Sequence, residues 1–112
     1  MERLKLSKIK ANGKNPRLIK DENFDKLVKS LLVFPRMLEL RPIVIDNENV
    51  VLGGNMRLRA LKRIAKLSTE EITKIVKTDQ RLHDEEIAAI VDYWNTWKRA
   101  KDAPAVKADD LT

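Results

Sequence analysis

The chain has 112 residues, of which 43% are hydrophobic and 36% charged, with a formal net charge of +6 and no cysteine. This length fits one compact domain with a single core, and the composition is that of a globular protein and not of a disordered chain. The lack of cysteine excludes disulfides, thiolate metal sites and cysteine nucleophiles.

The positive charge is concentrated in two segments of the chain. Residues 1–20 contain seven Lys or Arg and one Glu, and residues 53–67 contain five basic residues and no acid. If the two segments meet, they form a positive field suited to the phosphates of a nucleotide or of nucleic acid. The alternative is that a Lys-rich surface only keeps the protein soluble. With no apolar run of about 20 residues and no signal-peptide pattern, we expect a cytoplasmic protein without a membrane partner.

The first predicted elements are a strand, a turn and an amphipathic helix. Residues 4–9 alternate apolar and polar side chains, which is typical of a short half-buried strand. Two Asn-containing dipeptides within residues 11–17 then predict a turn. From Asn23 onward, apolar residues at helical spacing predict a helix that ends at Pro35.

A hairpin and a basic helix come next. Residues 42–46 and 50–52 are β-branched runs joined by a short polar connector, which predicts two antiparallel strands. The second strand continues through Gly53 and Gly54 into a helix predicted over residues 55–67.

Two further helices and a final strand complete the predicted domain. Ser68 and Glu71 have the spacing of a capping box, which predicts a helix start. A longer helix is predicted over residues 84–100 and a last strand over residues 104–107.

We therefore expect a single α/β domain over residues 1–112 with a small mixed sheet flanked by helices. In this interpretation residues 68–102 form a helical insertion. We also expect the chain to continue beyond Thr112 in a longer protein, because the last residues include suitable N-caps for another helix.

The glycine turn before the basic helix is the strongest candidate for a functional site. Backbone amides at a helix N-terminus, together with the helix dipole, favour phosphate binding, and Gly53 and Gly54 allow a close approach. Helical geometry points Arg57 towards the body of the domain, where its charge needs a negative partner. That partner is either a ligand phosphate, which we favour, or an internal carboxylate such as Asp46. Arg59 points more towards solvent and either clamps a longer phosphate chain or is an ordinary surface arginine.

Four stretches in this order resemble the N-terminal domain of the ParB family, which shares its fold with sulfiredoxin. They are "KNPR" at 14–17, the amphipathic helix, "LRPIVID" at 40–46 and "VVLGGNMRLRALK" at 50–62. The ParB family has a G-E-R-R-x-R-A box after the second hairpin strand. Residues 54–60 match its Gly, its last two Arg and its Ala, with Asn55 and Met56 in place of Glu and the first Arg.

The resemblance implies a ParB/sulfiredoxin-like fold and a bacterial or phage protein that handles or partitions DNA. Its ligand would be CTP or another nucleoside triphosphate with Mg²⁺, or DNA, and a homodimer is compatible with this. We expect a binding module with weak or no catalytic activity. Sulfiredoxin activity is excluded because it needs a cysteine. The residues implied in phosphate binding are Gly53, Gly54, Asn55, Arg57, Arg59, Asn15 and Arg17.

Two other functions stay open at this point. A metal-dependent ParB-like nuclease would need carboxylates for magnesium or manganese, and the best candidates are Asp46, Glu48, Asp109 and Asp110. A protein-interaction domain would have a purely structural glycine turn and pair Arg57 with an internal Asp. The single histidine, His83, lacks convergent partners, so we predict no resident metal site. Trp97 lies off the apolar stripe of its helix and suggests a contact with a partner.

Overall fold

The computed structural model describes residues 2–12 and 21–111, which form five α-helices and one four-stranded sheet. The strands are β1 (Glu2–Lys5), β2 (Ile43–Ile45), β3 (Val51–Gly53) and β4 (Asp102–Lys107). The helices are α1 (Asp21–Val33), α2 (Met37–Leu40), α3 (Asn55–Ala65), α4 (Thr69–Lys77) and α5 (Asp84–Ala100). Short 3-10 turns follow β1 at Leu6–Lys8 and β4 at Ala108–Leu111. The predicted α/β class with a small mixed sheet is confirmed.

The sheet has the strand order β1-β4-β2-β3, so the last strand of the chain lies in its interior. Strand β4 pairs antiparallel with β1, where Ala105 faces Glu2, and parallel with β2, where Ala105 faces Ile43. Strands β2 and β3 form the predicted antiparallel hairpin. A parallel pair cannot be joined by a tight turn, and the path from β2 to β4 passes through β3 and the helices α3, α4 and α5.

The hairpin turn between β2 and β3 is held by Asp46. Its Oδ1 accepts hydrogen bonds from the amides of Glu48 at 2.8 Å and of Val50 at 2.9 Å. Asn49 adopts a left-handed conformation with φ 64°, which Asn tolerates better than most residues. Asp46 therefore has a structural role in the turn that precedes the glycines.

The helices share one hydrophobic core with the sheet. Leu31 and Leu32 of α1 are fully buried, as is Trp94 of α5, whose Nε1 donates to the Leu32 carbonyl at 2.9 Å. Helices α4 and α5 both pack against α1. The segment predicted as an insertion thus contributes to the same core as the rest of the domain. No helix in the described part is long and apolar enough to cross a membrane.

Two local expectations were wrong, and one short helix was not predicted. The first strand ends at Lys5 because Leu6 turns into the core and its amide donates to the Lys101 carbonyl at 2.8 Å. Helix α2, a single turn after the Pro35 break, was not predicted. Trp97 does not offer a partner contact, because it is 5% exposed and its Nε1 donates to the Asp102 carbonyl at 2.7 Å at the start of β4.

The turn between α4 and α5 contains an ion pair between the exposed Arg81 and the largely covered Asp79, which should make stability depend on pH. Asp79 is 7% exposed, and Arg81 donates to its two carboxylate oxygens at 3.0 and 2.7 Å. These hydrogen bonds, with a further one from the Arg81 amide, lower the pKa of Asp79 to about 2 from an ordinary 3.8. A depressed folded-state pKa stabilises the fold above the unfolded-state pKa, and this stabilisation is lost as the pH falls through the folded value.

We therefore predict that Asp79→Asn lowers the melting temperature at pH 7 and that the difference from wild type shrinks between about pH 4 and pH 2. Thermal unfolding followed by circular dichroism across this pH range measures the difference directly. The control is Asp92→Asn, which removes an exposed carboxylate from α5. A difference for Asp79→Asn that stays constant down to pH 2 would contradict the assigned ion pair.

Candidate phosphate-binding site

The turn from β3 into α3 exposes a helix N-terminus. Strand β3 ends at Gly53, and Gly54 is the N-cap of α3 with φ 93° and ψ 23°. The first α-helical hydrogen bond runs from the Leu58 amide to the Gly54 carbonyl at 3.0 Å. The amides of the three residues before Leu58 have no carbonyl in the preceding turn of helix to bind, and a glycine N-cap has no side chain to cap them. The first turn also contains no acid, so its partial positive charge is not offset locally.

The two glycines have different structural requirements. At Gly54, a Cβ would lie 2.7 Å from Nη2 of Arg57, and the positive φ disfavours any L side chain. At Gly53, a Cβ would lie 3.7 Å from Cβ of Val44, which is an ordinary van der Waals contact. The left-handed backbone therefore favours glycine at Gly54, and any other residue there would make the Arg57 guanidinium shift.

Arg57 is half-buried beside this helix end and has poor hydrogen-bond partners. Its Nη2 donates to the Pro42 carbonyl at the long distance of 3.4 Å, and its buried Nε has no partner among the described residues. Burial lowers the pKa of Arg57, and the nearby Arg41 guanidinium lowers it further. The site therefore contains a desolvated cation next to a second cation and a positive helix end.

No carboxylate among the side chains that the structure describes compensates this charge. Within residues 2–12 and 22–110, no Asp or Glu oxygen lies within the 4.0 Å ion-pair distance of Arg57. Asp46, the internal partner considered from the sequence, uses its Oδ1 for the hairpin turn. Residues 13–20 contain no acidic side chain at all. Because a half-buried guanidinium without a counter-charge is costly, the arrangement favours an external anion.

A cleft of about 520 Å³ opens at the same turn. Its lining residues are Leu27, Leu52, Gly53, Gly54, Asn55, Met56 and Arg57. The buried Oδ1 of Asn55 has no hydrogen-bond donor among the described residues. This oxygen and the Arg57 Nε are the two buried side-chain polar atoms without a partner in the part of the chain that the structure describes. Both lie on the first turn of α3, and such atoms are normally satisfied in folded proteins.

Four of the seven predicted site residues line the same cleft, namely Gly53, Gly54, Asn55 and Arg57. Arg59 is exposed and lies outside the cleft lining, with its guanidinium carbon 5.7 Å from the centroid of the Phe24 ring in α1. That position is a cation–π contact and makes Arg59 part of the α1–α3 surface. The remaining two predicted residues, Asn15 and Arg17, lie outside the described residues.

Arg41 was missed by the sequence analysis, although a signal for it existed. The hairpin register places Val44 opposite Gly53, so the residues just before β2 lie beside the glycine turn. A hairpin prediction with this register would have placed the basic residue before Pro42 near the site. The apolar wall of the cleft, from Leu27 and Leu52, was missed because its residues come from two separate elements.

The carboxylates considered for a nuclease do not form a metal site in the described part of the chain, where no group of three or more His, Asp or Glu side chains could hold a metal ion. Asp109 accepts a hydrogen bond from Asn47 Nδ2 at 3.1 Å. His83 starts α5, and its amide donates to Oε1 of Glu86 at 3.1 Å. The nuclease alternative stays a hypothesis that no carboxylate cluster in this region supports.

Comparisons of the chain with models of protein families, with curated proteins and with solved structures found no match. The functional interpretation therefore depends on the geometry and charge of the cleft.

Proposed function

We propose that this chain is a phosphate-binding module whose ligand is a nucleotide, bound in the cleft at the start of α3. The observation that carries the proposal is the coincidence of two unsatisfied buried atoms, on Asn55 and Arg57, at an uncapped helix N-terminus. An isolated glycine turn would be weak support, because many strand-to-helix turns contain glycine. The guanidinium that contains this Nε is also half-buried and has no carboxylate partner among the described side chains, which adds a demand for an anion.

A phosphate would satisfy several groups of this turn at once. Its oxygens are acceptors and could bind the amides of the first turn of α3 together with the guanidinium of Arg57. A doubly charged phosphate would also offset the repulsion between Arg57 and Arg41. Among common biological anions, phosphate combines the required charge with several acceptor oxygens in a compact group.

The rest of the cleft favours a nucleotide over inorganic phosphate. The Asn55 Oδ1 is an acceptor, so it needs a donor such as a sugar hydroxyl, a base amino group or a magnesium-bound water. Leu27, Leu52 and Met56 give the cleft an apolar wall against which a base or sugar could pack. A nucleotide provides the anion, the donor and the apolar surface in one molecule.

The resemblance to the ParB family is compatible with this proposal and suggests CTP with Mg²⁺ as the first ligand to test. In that interpretation the protein would take part in DNA handling or partition in a bacterium or phage. Direct DNA binding would use the same first-turn amides on a backbone phosphate, with exposed Arg59 as an outer contact.

Binding of a nucleoside triphosphate should raise the melting temperature by several degrees when the ligand is well above its Kd, because a ligand that binds only the native state stabilises it. The screen uses CTP, ATP, GTP and UTP, each with and without magnesium, and inorganic triphosphate as a matched anion without a base. A larger shift with one nucleotide than with inorganic triphosphate supports the proposal. If none of these ligands changes the melting temperature, the nucleotide assignment is wrong.

Duplex DNA is the companion ligand in this screen. An affinity that falls steeply between low and physiological salt indicates contacts to the DNA backbone, because each neutralised phosphate releases counterions. If the protein binds DNA and no nucleotide changes its melting temperature, the ligand is nucleic acid and not a nucleotide.

A further inference from the structure

A second concave surface lies along α1, away from the phosphate-binding cleft. Two cavities, of about 650 and 440 Å³, share Lys26, Lys29 and Thr78 in their linings and are therefore adjoining parts of one groove. This α1 groove runs between α1 and the C-terminal end of α4, and continues to α2 and the turn before α5. None of its lining residues lines the cleft at Gly54, so the two surfaces are separate.

The floor of the α1 groove is apolar. It is formed by six residues from three helices, α1, α2 and α4, and from the segments that follow α1 and α3: Val28, Val33, Phe34, Met37, Leu67 and Ile75. Phe34 is 49% exposed, which is high for a large aromatic side chain in a domain whose other apolar aromatic rings are mostly covered. An exposed aromatic side chain beside a partly exposed methionine in a concave surface is typical of sites that bind another chain.

The rim of the α1 groove is basic. Four basic side chains, Lys26, Lys29, Arg63 and Arg81, line it against two acidic ones, Asp25 and Asp79. Asp79 is bound to Arg81, so the opposite charges of these two residues largely offset each other. Lys26 and Lys29 line both cavities, and the charge of Lys29 also helps to lower the pKa of the neighbouring Asp79. Lys26, Lys29 and Arg63 therefore give the rim its positive charge, against Asp25.

We propose that the α1 groove binds an acidic amphipathic segment of a partner protein. An apolar floor with a basic rim is complementary to a helix or short segment that carries apolar anchors on one face and carboxylates beside them. A second copy of this chain is less suited to the groove, since the chain has a net charge of +6 and the groove is itself positive. Phe34 and Met37 would contact the apolar anchors, and Lys26 and Lys29 the carboxylates.

The test uses a synthetic peptide of about 14 residues with Leu and Phe at helical i, i+4, i+7 spacing and Glu at the neighbouring positions. Amide chemical shifts of the ¹⁵N-labelled protein are followed during titration with this peptide. Two control peptides replace the apolar anchors with Ser or the Glu residues with Lys. We expect shifts confined to the groove with the first peptide and at least a threefold weaker affinity for each control.

The protein variants separate groove binding from general charge attraction. Lys29→Glu should weaken binding of the first peptide at least threefold, whereas Lys66→Glu, an equal charge change at an exposed position outside the groove, should leave the affinity nearly unchanged. Phe34→Ala should weaken binding without unfolding the domain, which circular dichroism checks.

Three results would overturn the proposal. They are no binding of the acidic peptide, equal weakening by Lys29→Glu and Lys66→Glu, and equal binding of the peptide without apolar anchors. The alternative occupant of the groove is a second copy of the chain, and analytical ultracentrifugation of the protein alone tests for it. A concentration-dependent dimer that Phe34→Ala abolishes would assign the groove to this second copy and overturn the proposal.

Discussion

Replacing Arg57 with alanine is expected to weaken nucleotide binding by about 1.5–3 kcal/mol, which is roughly a 10- to 150-fold increase in Kd. The reason is that Arg57 is the half-buried cation of the cleft, with a buried Nε that no described residue satisfies. A ligand phosphate would form a charge-assisted hydrogen bond with it, and alanine removes that bond completely. Isothermal titration calorimetry with the nucleotide that gives the largest thermal shift measures the loss.

The same substitution should not destabilise the unliganded protein. Arg57 makes one long hydrogen bond and no ion pair in the described structure, and its charge is repelled by Arg41. Removing an uncompensated cation from a partly buried site relieves a cost, so the melting temperature of unliganded Arg57→Ala should equal or exceed that of wild type. A structural arginine would give the opposite result, with a lower melting temperature and unchanged affinity.

Arg59→Ala is the matched control for Arg57→Ala. It removes the same chemical group two residues along the same helix, from an exposed side chain that contacts Phe24 and does not line the cleft. Its effect on nucleotide affinity should stay within about 0.5 kcal/mol, the usual range for surface substitutions. If both variants lose affinity equally, the ligand is held by the general charge of α3 and not by the cleft.

The elements that the sequence predicted best are those set by local chemistry. The capping box at the start of α4 has both of its hydrogen bonds, with the Glu71 amide 3.1 Å from Ser68 Oγ and the Ser68 amide 3.0 Å from Glu71 Oε1. Helix α5 has the bounds predicted from its apolar spacing and acidic first turn. These signals lie within one or two turns of a helix, so no tertiary information is needed to recognise them.

The features that the sequence did not predict depend on contacts between distant elements. Strand β4 lies between β1 and β2, and it pairs with strands that are more than fifty residues away in the sequence. No local sequence pattern encodes such a pairing. The inward direction of Arg57 followed from helical geometry, but the lack of a carboxylate beside it depends on how Asp46 is used in the hairpin. Arg41 likewise reaches the site only through the register of β2 and β3.

Substituting Gly54 with valine is expected to destabilise the fold by about 1–3 kcal/mol and to abolish nucleotide binding. A β-branched residue is poorly compatible with φ 93°, which accounts for the loss of stability. A Cβ at this position would lie 2.7 Å from Arg57 Nη2, so the guanidinium must shift from the position that it holds over Gly54, and the larger valine side chain displaces it further. Chemical denaturation monitored by circular dichroism gives the change in unfolding free energy, and calorimetry below the melting temperature gives the binding.

Two further variants separate the backbone effect from the crowding of Arg57. Gly53→Ala should change the unfolding free energy by less than about 0.5 kcal/mol, because its Cβ would meet Val44 at an ordinary 3.7 Å. Gly54→Asn tolerates the left-handed backbone but still places a Cβ against Arg57, so it should be more stable than Gly54→Val and bind nucleotide equally poorly. If Gly54→Asn binds like wild type, the position of Arg57 over Gly54 does not matter for the ligand. If Gly53→Ala lowers the unfolding free energy as much as Gly54→Val does, the turn needs glycine at both positions, and the loss of stability does not come from the crowding of Arg57.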